Sequence, residues 1–70
     1  MKNQLRENSD PRFQGMIGTR IQFVDKRGKT RAGELDFAGI NEILHGQFQV
    51  TVSRTPYWPV NPKSLKLSPL

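Results

Sequence analysis

Seventy residues with a net charge of +5 and no cysteine leave room for one small domain and exclude a disulfide framework or a thiolate metal site. No stretch approaches the length of a membrane-spanning helix, and Met1–Asn8 holds no apolar run of the kind a secretory signal needs. The expectation is a cytoplasmic protein with no membrane partner, in which self-association would be one ordinary remedy for a small core.

Residues 1–12 are polar, without apolar periodicity, and are expected to form a flexible N-terminal segment. Phe13, Met16 and Ile17 mark the point where the chain joins its core. From Thr19 the pattern has period two: Ile21 and Phe23 on one face, Arg20 and Gln22 on the other. Asp25-Lys26-Arg27-Gly28 reads as a turn, since Asp25 can hydrogen-bond the following backbone and Gly28 can take a positive φ. The return arm alternates again, with Gly33, Leu35 and Phe37 on one face and Ala32, Glu34 and Asp36 on the other. Gly33 is the expected bend or bulge.

Residues 38–46 fit one helical turn, a wide loop or the start of another strand. Gln47–Ser53 is a strand with Phe48, Val50 and Val52 inward. Tyr57–Val60 reads as a short edge strand limited by its prolines, Asn61–Ser64 as a 3₁₀ turn, and Leu65–Leu67 as the closing strand. The expected core is Ile21, Phe23, Leu35, Phe37, Phe48, Val50, Val52, Val60, Leu65 and Leu67. The domain would span 13–68, with 69–70 as a tail.

Five short antiparallel strands, without enough chain left for covering helices, must cover one another. The order of elements over about residues 16–68, with a 3₁₀ turn before the last strand, resembles the SH3-like small β-barrels. That resemblance implies an all-β, five-stranded antiparallel barrel. Ile21-Gln22-Phe23 through Gly28 to Leu35, then Asn41, resembles the first motif of Sm-like RNA-binding proteins in its Gly28–Gly33 spacing and Leu35. Asn41 falls about two residues early, and Tyr57–Val60 carries no second motif. Tyr57-Trp58-Pro59-Val60 followed by Leu65 also resembles the end of the type II dihydrofolate reductases, which are tetrameric SH3-like barrels. Their Gln-Ile-Tyr active-site stretch has no counterpart, so no activity carries over.

Catalytic groups are scarce. His45 is the single histidine, whereas metal sites and acid–base relays need several converging groups. Glu34 and Asp36 lie about 7 Å apart along an extended strand, a spacing that a solvated outer face explains more simply than paired catalysis. The expectation is no catalytic residue, no metal and no cofactor.

Charge is the stronger signal. Arg20, Lys26, Arg27, Lys29 and Arg31 face only Asp25 within residues 20–31, while residues 32–53 carry Glu34, Asp36 and Glu42 without a cation. Such polarity suits a polyanionic partner, although solubility alone can explain lysines and arginines. Three to five phosphate contacts from this tip would give a log–log salt slope of about −2 to −5. Tyr57 and Trp58 point to opposite faces if extended. Val60 shares the parity of Trp58, so Trp58 is expected inward and Tyr57 outward, where it could stack a base. The leading expectation is a non-enzymatic module that binds nucleic acid through Lys26, Arg27, Lys29, Arg31 and Tyr57. The alternatives are an adaptor binding a partner protein through the aromatic strand and a sheet edge, or a subunit of an oligomeric enzyme.

Overall fold

The structure, a computed structural model, describes residues 9–68. Five antiparallel strands, β1 (Arg20–Val24), β2 (Thr30–Asn41), β3 (Gln47–Val52), β4 (Thr55–Tyr57) and β5 (Lys66–Leu67), form a sheet in the order β4-β3-β2-β1-β5. Three 3₁₀ turns, at Gln14–Met16, Glu42–Leu44 and Pro62–Ser64, supply the remaining regular structure among the described residues. The fold is all-β and antiparallel as expected, with the 3₁₀ turn ahead of the last strand in place.

The expected closed barrel is not formed: β4 and β5 are both edges of the sheet order. Both are short, at three and two residues. Pro56 also brings to β4 a backbone without an N–H, which blunts an edge against further pairing.

The ambiguous stretch 38–46 resolves as a continuation of β2 to Asn41, then the turn Glu42–Leu44, whose first N–H groups are met by Asn41 Oδ1 accepting from Ile43 N at 2.9 Å. The twelve-residue β2 serves two ladders. Its first half pairs with β1, from Thr30 opposite Val24 to Glu34 opposite Arg20. Its second half pairs with β3, from Leu35 opposite Val52 to Asn41 opposite Gln47.

The register slips between Leu35 and Phe37, so that Asp36 is the extra residue of a β-bulge. The bulge lies three positions beyond the expected Gly33, and it inverts the parity of everything after it. Leu35 is buried, but so is Ala38, while Phe37 is only half-buried. The core thus contains Ala38 in place of Phe37. Gly33 has a different reason to be glycine: a Cβ there would stand 2.8 Å from Ser53 Oγ and 3.4 Å from Val52 Cβ.

Phe13 joins the core as well, its ring edge-on to Phe48 at 5.9 Å, and Leu67 leaves it at 59% exposure because β5 is an edge. The remaining core residues are those expected: Ile21, Phe23, Leu35, Phe48, Val50, Val52, Val60 and Leu65.

Within the segment expected to be flexible, Ser9 and Asp10 are hydrogen-bonded to β2. Ser9 is buried, its Oγ accepts from Ala38 N at 3.3 Å, and Asp10 N donates to Ala38 O at 2.7 Å. Asp10 then pairs with Arg12 at 2.9 Å. The backbone of Ala38, turned by the bulge, provides the partners that the polar N-terminal sequence could not advertise. The rest of the expected flexible segment, 1–8, and the tail 69–70 lie outside the described residues.

Candidate nucleic-acid interface

The β1–β2 tip is built around one carboxylate. Asp25 Oδ1 accepts from Arg27 N and Lys29 N, both at 2.9 Å, and Asp25 Oδ2 accepts from Arg31 Nε at 2.9 Å. Backbone bonds close the loop, Gly28 N donating to Asp25 O and Asp25 N to Lys29 O, with Gly28 at φ 81° as expected. The Asp25 side chain is 7% exposed. The backbone N–H of Lys29, then the Arg31 guanidinium, hold its carboxyl below the usual carboxylate range, and in return Arg31 is raised above its own.

Across from the tip stands the aromatic segment after the β3–β4 turn. Tyr57 pairs opposite Val50, whereas Val60 N donates to Phe48 O at 3.0 Å. Two residues of β3 are therefore spanned by three of the returning chain. The additional residue puts both Tyr57 and Val60 on the core side and leaves Trp58 and Pro59 outward.

This corrects the expected orientation of the two rings. Trp58 is 39% exposed, while Tyr57 is half-buried against Phe23, with ring centroids 5.3 Å apart in an edge-on arrangement. Simple alternation does not hold across Pro59, because the ladder is interrupted after Tyr57.

Tip and aromatic segment enclose an open groove of about 380 Å³. Asp25, Lys26, Arg27 and Arg31 line one wall, and Pro56, Tyr57 and Trp58 the other. Arg31 joins the two, its guanidinium 5.5 Å above the Tyr57 ring while paired with Asp25. Four of the five expected site residues, Lys26, Arg27, Arg31 and Tyr57, meet at this groove; Lys29 is exposed but lies outside its lining.

Their roles separate. Arg31 and Tyr57 form the braced floor where the two sides meet, and Lys26 and Arg27 are exposed cations of the groove with no acidic partner among the described residues. Arg20 stands opposite Glu34 on the β1–β2 ladder and is not among the residues that line the groove. Trp58 also lines the groove, and its signal in the sequence is Pro59, a residue at which strand parity breaks.

Among the described residues no group of three His, Asp or Glu side chains gathers to hold a metal ion, and no helix is long and apolar enough to cross a membrane. The chain matches no protein family model, no curated protein and no solved structure.

Proposed function

We propose that this chain is a non-enzymatic binding module that takes single-stranded nucleic acid in the groove between the β1–β2 tip and Trp58. The observation that carries the reading is convergence. Exposed cations at 26–27 and an exposed indole at 58, far apart in sequence, line one concavity. Single-strand sites combine these two elements: phosphates met by Lys or Arg, and bases stacked on an aromatic face at roughly 1–3 kcal/mol each. Trp58 takes the stacking role, and Tyr57 holds the floor beneath it.

The order of strands, the long β2 shared by two ladders and the 3₁₀ turn before β5 support reading the sheet as an SH3-like barrel left open between β4 and β5. A cytoplasmic location accords with a chain that has no cysteine. The second reading is an adaptor for a proline-rich peptide, which the apolar wall of Pro56, Tyr57 and Trp58 favours.

Fluorescence titration tests the proposal, because Trp58 is the one tryptophan of the chain. Single-stranded oligonucleotides should quench it, with log affinity falling against log salt at a slope of about −1.4 for two neutralised phosphates. Lys26→Gln together with Arg27→Gln should flatten that slope towards zero. Unchanged affinity and slope in the double variant would refute the reading. Salt-insensitive peptide binding lost in Tyr57→Ala would establish the adaptor instead.

A further inference from the structure

A second concavity lies on the other side of Lys26, lined by Val24, Pro59, Val60, Asn61 and Ser64. Asp25 and Lys26 are walls of both grooves, so the two adjoin along the base of the tip. We infer that this second groove is the subsite for the neighbouring nucleotide of a bound single strand, with the intervening phosphate at Lys26 and Asn61 donating a hydrogen bond to its base. The inference rests on the first groove's being a single-strand site.

Three features support it. Charge complementarity comes from Lys26, an exposed cation shared by both concavities, where a linking phosphate would fall. An apolar surface for sugar and base comes from Val24, Pro59 and Val60. Directionality comes from Asn61. Its Oδ1 accepts from Lys63 N at 2.9 Å as the cap of the Pro62–Ser64 turn. The amide orientation is thereby set, and Nδ2 remains as a donor with no hydrogen-bond partner among the described residues.

The groove wall itself is anchored. Ser64 Oγ donates to Asn61 O at 2.8 Å and accepts from Val24 N at 3.2 Å, joining the 3₁₀ turn to the end of β1. A base has acceptor atoms on its exposed edges when unpaired, and an amide donor on a fixed cap can meet one without further ordering.

Asn61→Ser tests this, because serine caps a turn nearly as well as asparagine while removing the amide donor. Titrations follow Trp58 quenching by thymidine 5′-monophosphate and by oligothymidylates of increasing length. Loss of one neutral hydrogen bond should weaken binding of the dinucleotide and longer strands roughly 2- to 12-fold, with the mononucleotide unaffected and the melting temperature unchanged. Equal affinity of Asn61→Ser and the parent at every length would overturn the second subsite while leaving the first intact. So would affinity that does not rise from mono- to dinucleotide. Absence of quenching by any strand in the parent would overturn both.

Discussion

The β1–β2 and β3–β4 hairpin turns are each held by an aspartate, and they differ in where the aspartate comes from. At the β1–β2 tip, Asp25 belongs to the turn it organises and collects the N–H groups of residues two and four positions onward. At the β3–β4 turn, Ser53 and Arg54 both take positive φ, 48° and 69°, although neither is glycine. A two-residue turn with both central residues left-handed matches the twist of its strands, but it ordinarily calls for Asn-Gly. The compensation comes from β2: Asp36 Oδ2 accepts from Arg54 N at 2.8 Å across 18 residues, and Ser53 N donates to Glu34 O at 3.0 Å. One turn is locally specified and exposes its cations; the other is specified by the bulge that places Asp36 beneath it.

The largest effect should therefore follow from removing the remote carboxylate. Asp36→Ala leaves a left-handed Arg54 without its acceptor and should destabilise the fold by about 1–2 kcal/mol, below the roughly 1.5–3 of a hydrogen bond to a charged group in general because water reaches this one. Urea denaturation would show this as a lower midpoint at an unchanged slope. Removing the strain instead should act in the opposite direction. Ser53→Asn with Arg54→Gly supplies the residues the turn prefers, and a gain of about 1 kcal/mol is expected, less the extra freedom that glycine gives the unfolded chain. In that background Asp36→Ala should cost less than in the parent. Additive effects would show that the two features are not coupled.

Gly33 offers a finer test of how closely the second turn sits on β2. Gly33→Ala brings Cβ to 2.8 Å from Ser53 Oγ. The clash costs about 1 kcal/mol, of which about 0.5–1 is offset by alanine's lower loss of backbone freedom, so the single variant should be near neutral. Paired with Ser53→Gly, which removes the obstructing hydroxyl, the same alanine should become stabilising. A cycle of the four proteins reads that change of sign directly.

The difference between the turns also governs what could be read before folding was known. Asp25 and Gly28 stand where a tight turn needs them, so the tip, its cations and its flanking core residues Ile21, Phe23 and Leu35 were legible. The bulge was not. Leu35-Asp36-Phe37 alternates without fault, and only an N–H group 18 residues away gives Asp36 a reason to leave the ladder. The parity error at Phe37 follows from that. The difference at Trp58 has the same form: period two does not run through Pro59, since Tyr57 and Val60 both turn inward around an additional residue. The candidate site was legible in its residue types, through Lys26, Arg27 and Tyr57. Its geometry depended on an interruption that alternation cannot encode.

At the tip the expected effect is one that pH isolates. The carboxyl of Asp25 lies below its ordinary 3.8 when folded. As pH falls, the unfolded chain takes up this proton first. The contribution of Asp25 is thus complete above about pH 4 and is lost as pH drops through the depressed folded value. Asp25→Asn has no such proton to bind. Its deficit against the parent should be constant from neutrality to about pH 4 and shrink below it, as read from melting temperatures. Asp10, also lowered by its hydrogen bonds from Arg12, should leave a residual acid slope in Asp25→Asn, which Asp10→Asn would reduce. A deficit that persists undiminished in strong acid would mean that Asp25 acts through the geometry of its oxygens and not through its charge. Above that window Asp25→Asn separates the two duties of the tip. It frees Arg31 from its partner, adding a positive charge beside Lys26 and Arg27 while loosening the floor under Tyr57. If the cations alone determine binding, the variant should bind single strands more tightly and with a steeper salt slope. If the braced groove is required, quenching of Trp58 should fall even though the charge has risen.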